Sequence, residues 1–302
     1  MKRRAGGRSS ITGRVRISAL VLFGLAACHR GAPPSRFPSA ELALSRMRES
    51  QACSRGVSAE GKIDYYGPNG RLRGSLLYLA MQPESVRLDV YSPFGATLST
   101  LTSDGTHFSL FDLQKRTLSQ GVANTCNLQR FTQVPLPPHA FVQLLRGESP
   151  VLVHSPPQAV LDWESGSYVV RIQSRFRAEQ EIRLVPRDED YLLPWSQQRL
   201  RVLETRVRQA GVELYRVELS GHAPARTAAP HVDPDGLEPP ILPSGPQCDA
   251  ELPRSFRFVV EAAGHDLALS TSESAHNPPL VPGVFTQSPS PGVTVRDSPC
   301  GG

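Results

Sequence analysis

Side chains able to bind metal, move protons or form covalent bonds are present in this chain, but their spacing excludes most of that chemistry. The eight histidines, at positions 29, 107, 139, 154, 222, 231, 265 and 276, are scattered, and none stands four residues from another beside a glutamate. The H-E-x-x-H arrangement, in which one helix face offers two imidazoles to zinc, is therefore absent. No G-x-S-x-G elbow exposes a nucleophilic serine, no Walker A loop cradles phosphate, and no G-x-G-x-x-G turn follows a strand. The acidic run Asp188-Glu189-Asp190 lies close behind Pro186 in a solvated turn, a poor support for two carboxylates that must flank one bond. Asp64 and Asp89 fall in strand-like segments, where outward, solvent-facing carboxylates are the default. A dispersed Ser-His-Asp triad is defined by geometry alone, and nothing in the sequence names a substrate for one. The expectation is a protein that is not an enzyme, with no metal and no cofactor.

Cysteine chemistry is more informative. Cys53, Cys126, Cys248 and Cys300 form an even set with no C-x-x-C spacing, which favours disulfides in an oxidising compartment over a metal site, with free buried thiols as the alternative. Four cysteines allow three pairings; Cys53 with Cys126 and Cys248 with Cys300 is the expected one, each bridge tying a segment end to its own half of the chain. The fifth, Cys28, follows Leu25-Ala26-Ala27. Ahead of it lie an acid-free stretch with six cations (Lys2, Arg3, Arg4, Arg8, Arg14 and Arg16) and a short apolar run from Ile17 to Ala27. These are the n-region, h-region and cleavage site of a secretory signal, and the run is well short of the roughly 20 residues a spanning helix needs. Leu, small, small, Cys resembles the bacterial lipobox. That resemblance implies diacylglyceryl transfer to the Cys28 thiol, cleavage before it and acylation of the new amino terminus, so that the mature chain is held to a membrane by its N-terminal lipid. His29 in place of Asp after the cysteine resembles outer-membrane sorting, with the body facing the periplasm.

Removing residues 1–27 takes away six positive charges and turns the formal +5 into −1. The basic character thus belongs to the signal segment, and no basic stripe interleaved with aromatics is left to suggest nucleic acid. The remaining 275 residues divide into a flexible tether over 28–37 and a single domain over 38–302. The domain contains a proline-rich excursion over 223–247 and a second proline-rich tail over 277–302.

A helix is expected from about Pro38 to Ser50, with Ser39 as its N-cap and Leu42, Leu44 and Met47 as its apolar stripe. Beyond it apolar residues alternate with period two: Val86, Leu88, Val90; Phe108, Leu110; Tyr168, Val170, Ile172, Phe176; Ile182, Leu184; Phe256, Phe258, Val260. Arg87, Asp89, Arg171, Gln173, Arg175, Arg183 and Arg257 occupy the opposite faces. Turn chemistry separates the runs at Pro68-Asn69-Gly70, Ser103-Asp104-Gly105, Glu164-Ser165-Gly166, Ala210-Gly211 and Ala263-Gly264. One helix interrupts the pattern from Pro137 to Gly147, with Phe141, Val142, Leu144 and Leu145 on its apolar face. The predicted fold is mainly β: an open, strongly curved antiparallel half-barrel with an N-terminal helix and a central lid helix.

Three segments together resemble the LolA/LolB-type lipoprotein-carrier family. Arg87-Leu88-Asp89-Val90-Tyr91-Ser92-Pro93-Phe94-Gly95 is similar to that family's strand ending in a Ser/Asn-Pro-Leu-Gly turn. Pro135-Leu136-Pro137 with Phe141, Leu144, Leu145, Arg146 and Gly147 is similar to its proline-introduced helix ending in Leu-Leu-Gly. Pro253-Arg254-Ser255-Phe256-Arg257-Phe258, with Asn277-Pro278-Pro279 and Phe285, resembles closing segments of some members. The resemblance implies a cavity for acyl chains of lipoproteins or lipids, a periplasmic carrier protein as partner, and a membrane or transfer role for the turn residue Phe94. A turn phenylalanine that folds back onto its sheet is the rival outcome. Leu88, Val90, Phe108, Leu110, Phe141, Leu144, Leu145, Val170 and Ile172 are the expected cavity or lid residues. The competing expectation is a filled barrel core, in which case the chain is an envelope scaffold whose proline-rich segments dock a partner.

Overall fold

The computed structural model describes residues 31–68 and 70–300. The signal-type segment 1–27 and the acylation expected at Cys28 lie outside the described residues.

Helix α1 (Ala40–Glu49) leads into a six-stranded meander, β1 (Gly56–Gly67), β2 (Gly70–Met81), β3 (Ser85–Tyr91), β4 (Thr97–Ser103), β5 (His107–Asp112) and β6 (Thr117–Val122). Helices α2 (Thr125–Thr132) and α3 (Pro138–Leu145) follow, then a second meander of β7 (Ala159–Glu164), β8 (Ser167–Gln173), β9 (Ala178–Pro186), β10 (Leu200–Gln209) and β11 (Val212–Ser220). The chain closes with the two-residue strands β12 (Ala223–Pro224), β13 (Arg226–Thr227) and β14 (Glu251–Leu252), the hairpin β15 (Ser255–Val260) and β16 (His265–His276), and β17 (Thr294–Asp297).

The β15–β16 hairpin joins the two meanders into one sheet in the order β17-β6-β5-β4-β3-β2-β1-β16-β15-β11-β10-β9-β8-β7. Neighbours are antiparallel except where β17 runs parallel to β6 and the side strand β13 runs parallel to β16. The two outer strands do not meet, so the curved sheet stays open, as its alternating pattern predicts. Ser165-Gly166 and Ala210-Gly211 adopt positive φ at both positions, the backbone that two-residue type I′ hairpins require. Phe176 departs from its expected place in the β8 alternation. It sits in the β8–β9 turn at φ 60° and is 85% exposed.

The concave face is filled unevenly. Over its β7–β10 half, α1 lays down Ala40, Ala43, Leu44 and Met47. This i, i+3, i+4, i+7 set is the core-facing stripe of an amphipathic helix, and it leaves Leu42 on the outer side. The Ser39 hydroxyl accepts from the Leu42 backbone N–H and caps the helix. The expected tether is docked over its described part: Phe37 is buried with its ring edge-on to Tyr168 at 5.2 Å, and Ser35 is hydrogen-bonded to Trp195 and Gln198. Behind α1 lie Tyr168, Val170, Ile172, Ile182, Leu184 and Val202, all essentially free of solvent.

The cysteines pair differently from expectation. Cys53 bonds Cys248 and Cys126 bonds Cys300, with Cα separations of 5.2 and 5.8 Å. The cause is the return of the C-terminal segments to the first meander. Because β16 pairs with β1, Cys248 arrives beside Cys53; because β17 pairs with β6, Cys300 arrives beside Cys126. Sequence halves are not spatial halves here.

Both proline-rich stretches are fastened to the body. The excursion is held by the β12–β14 and β13–β16 pairings, a His231–Ile241 bridge and the Cys53–Cys248 bond. Asn277 clamps its far end, accepting from the N–H groups of Arg55 and Gly56 and donating to the carbonyls of Cys53 and Pro246. The tail crosses the convex face of β3–β5, where Gln287 donates to the carbonyls of Thr100 and Ser109 and Arg87 donates to that of Val284. Asp89, expected to face solvent, is buried beneath this strap and bonded to Arg87 and Thr100.

Candidate functional site

Alternation and register together build an apolar cavity of about 310 Å³ on the concave face of the first meander. Ile63 and Tyr65 of β1 stand opposite Leu269 and Leu267 of β16. Leu76 of β2 faces Val90 of β3, while Leu88, Leu101 and Leu110 form one cross-strand row over β3, β4 and β5. Each belongs to the inward set of its strand, because side chains at i and i+2 share a face. Opposite Ile63 the wall holds Gly74, where a Cβ would sit 2.4 Å from the carbonyl oxygen of Tyr91. Thr132 and Gln133 at the end of α2 and Phe141 of α3 complete the lining. The volume lies at the lower end of the roughly 300–1,000 Å³ typical of small-ligand sites.

The floor is rigid. Six of the eight residues of α3 are buried, and Phe141 packs 5.9 Å from the Phe258 ring. Tyr78 donates to the Leu145 carbonyl, and the wholly buried Arg146 donates to the Ser54 carbonyl and pairs with Glu148 at 3.0 Å. Burial pushes the Glu148 carboxyl up and the Arg146 guanidinium down, while each is drawn back by the other's charge. The helix expected as a lid lies against the concave face of β2 and β3 with most of its residues buried.

The cavity opens at the end of the sheet that carries the β1–β2 and β3–β4 turns. Leu72, 39% exposed, borders the opening on the first hairpin. On the second, the Ser92 hydroxyl accepts from the N–H groups of Phe94 and Ala96 while Gly95 takes φ 82°. This turn holds Phe94 96% exposed and does not fold it back onto the sheet. On the outer side of the same hairpin, Arg71 grips Asp64 through two hydrogen bonds of 2.7 and 2.6 Å and Arg73 adds a third. The Arg71 guanidinium, with Arg73, holds the Asp64 carboxyl down at about 2. Tyr65 meets the His265 ring at 2.9 Å. Charged groups thus stand at the rim, and the rest of the lining is mostly hydrocarbon, with Ser99, Thr132 and Gln133 as its polar members.

Of the expected site residues, the structure brings Leu88, Val90, Leu110 and Phe141 together around the cavity. Leu144, Leu145, Val170 and Ile172 lie in the packed core instead: the two leucines are on the buried face of α3, which packs on β2 and β3, and the β8 pair lies in the half of the sheet that α1 fills. Phe108 belongs to a small separate cluster with Leu101 and Leu128, the latter supplied by α2. Sequence reasoning missed Ile63, Tyr65, Leu76, Leu101, Leu267 and Leu269. Leu101 was within reach: counting back from the Ser103-Asp104-Gly105 turn places it opposite Leu110. Helix α2 is announced only by Asn124, whose side chain caps it by accepting from the Asn127 N–H.

The chain matches no protein-family model and no curated protein. Solved structures are similar to it at low identity. A LolA superfamily protein from Nitrosomonas europaea is 10% identical with TM-score 0.48, over 82% of this chain and 98% of that one. A DUF1329 family protein from Desulfovibrio piger is 9% identical with TM-score 0.48, over 81% and 94%. A domain named for outer membrane lipoprotein sorting from Vibrio parahaemolyticus is 10% identical with TM-score 0.46, over 80% and 95%. Among the described residues no helix is long and apolar enough to cross a membrane, and no group of three or more His, Cys, Asp or Glu side chains could hold a metal ion.

Proposed function

We propose that this protein is an outer-membrane lipoprotein, anchored through Cys28 and facing the periplasm, whose cavity reversibly holds an acyl chain of a lipoprotein or lipid. The observation that carries this reading is the cavity itself: a pocket of about 310 Å³ walled mainly by Leu, Ile, Val and Phe, with few polar groups in its lining. Acyl hydrocarbon matches such a surface, since each methylene taken from water into it is worth about 0.8 kcal/mol. The fixed floor means that the space is already formed before a ligand arrives, so little binding energy is lost to ordering. Release into a membrane then requires that the bilayer hold the chain better than the cavity does. Leu72, at the opening, and the exposed Phe94, on the turn at the same end of the sheet, are placed to meet the carrier or lipid that delivers the chain.

Titration of the anchor-free protein with a fluorescent long-chain fatty acid tests the reading. Saturable uptake that is lost in Leu269→Trp, which fills the cavity, and kept in Val160→Trp on exposed β7 is the expected result. Uptake insensitive to Leu269→Trp would refute it.

A further inference from the structure

We propose that the β9–β10 connection, residues 187–199, rests on the lipid bilayer and that the cavity mouth opens at the end of the sheet turned away from it. The inference depends on the anchoring of Cys28 and adds to it an orientation.

The first described residue fixes where the chain leaves the anchor. The Tyr191 hydroxyl donates to the Gly31 carbonyl, the Ser35 hydroxyl accepts from the Trp195 N–H at 2.9 Å, and Gln198 donates to the Ser35 carbonyl at 3.0 Å. Only residues 29 and 30 separate Cys28 from Gly31, and a chain spans at most about 3.5 Å per residue. A lipid on Cys28 is therefore held within about 10 Å of this connection.

The same connection carries Leu192, 77% exposed, beside the partly exposed Leu193. Its acids are paired with cations: Asp190 at 2.8 Å and Glu189 at 3.3 Å with Arg199 at the end of the connection, and Asp188 at 3.5 Å with Arg201 of β10. Leu192 and Leu193 stand side by side and exposed where a lipid on Cys28 would arrive, an apolar tip that the bilayer surface can take up.

Strand direction then places the mouth. The β9–β10 connection lies at the end of the sheet that also holds the β2–β3 and β4–β5 turns, while Phe94, Leu72 and the cavity opening share the other end with the β8–β9 and β10–β11 turns. Strands of nine to twelve residues join the two ends, about 30–40 Å at roughly 3.3 Å per residue. Delivery of an acyl chain thus takes place on the side facing away from the anchor, where a diffusing carrier has access.

The test uses the full lipidated protein in phosphatidylethanolamine/phosphatidylcholine vesicles containing a doxyl quencher near the headgroup. An environment-sensitive dye is placed on Leu192→Cys or on Phe94→Cys, with both disulfides left oxidised. A blue shift with quenching at 192, and neither at 94, is expected. Quenching at 94 but not at 192 overturns the orientation, and quenching at neither overturns the contact. If Leu192→Cys does not fold, quenching of Trp195 by brominated lipid in Trp163→Phe reads the same connection. Intact mass and fatty-acid uptake are measured on the same samples. Missing acyl groups on Cys28 overturn the anchor and this proposal together, whereas a failed orientation with acylation and uptake intact overturns this proposal alone.

Discussion

Cys126 and Cys300 are bonded across 174 residues, joining the helix after β6 to the end of the C-terminal strap. The bond closes a loop that contains α3, the second meander and the β15–β16 hairpin, and leaves the first meander outside it. In the chain-entropy account, closing a loop of this size removes about 5 kcal/mol from the unfolded state. Cys126→Ser with Cys300→Ser is expected to lower the unfolding free energy by a few kcal/mol and to release β17 to fast amide exchange. Peptide mapping without reductant should recover Cys53–Cys248 and Cys126–Cys300 peptides; a Cys53–Cys126 peptide would contradict the topology.

Arg146 and Glu148 form a buried pair beneath the cavity floor. Arg146→Met leaves a carboxylate buried without its partner, which costs about 3–5 kcal/mol. The double change Arg146→Met with Glu148→Leu should recover most of that loss in denaturant melts. A double variant as unstable as the single one would mean that the guanidinium's bonds to backbone carbonyls matter more than its charge.

Acid should weaken the fold before its carboxylates protonate. Burial holds the His222 imidazole down at about 4 and depresses His276, which is bonded to Ser54 and the Ala250 carbonyl. Depressed histidines bind fewer protons folded than unfolded, so their contribution is present above pH about 6.5 and is lost as pH falls towards 4. For His222 this amounts to something on the order of 3 kcal/mol at most. Melting temperature should fall between pH 6.5 and 4.5, and less steeply in His222→Leu; equal slopes would assign the acid limb to other groups.

Phe94 makes no packing contribution in its exposed turn. Phe94→Ser should therefore leave stability within about 0.5 kcal/mol and leave equilibrium acyl uptake unchanged, while slowing transfer from a donor vesicle. A large drop in melting temperature would show that the ring does pack on the sheet.

The sheet was legible because its alternation is strict: Leu88 and Val90 inward against Arg87 and Asp89 outward fixes a face without any tertiary information. The helices were legible where caps and prolines mark them, as at Ser39 and Pro137. What the sequence did not carry was partnership between distant segments. Val170 and Leu88 have the same inward pattern, yet one is packed and the other lines a cavity, because only the first lies beneath α1. The cysteine pairing failed for the same reason, since the placement of β16 against β1 depends on the whole sheet.

The central claim is that the cavity of the first meander holds acyl hydrocarbon. Native mass spectrometry of the anchor-free domain, with Cys28 removed and the co-purifying material extracted, tests it most directly. Bound acyl species, or uptake of an added lipopeptide, that vanish in Leu88→Glu are the predicted result. A clean apo mass that takes up no lipopeptide would contradict the claim and leave a scaffold with an empty pocket.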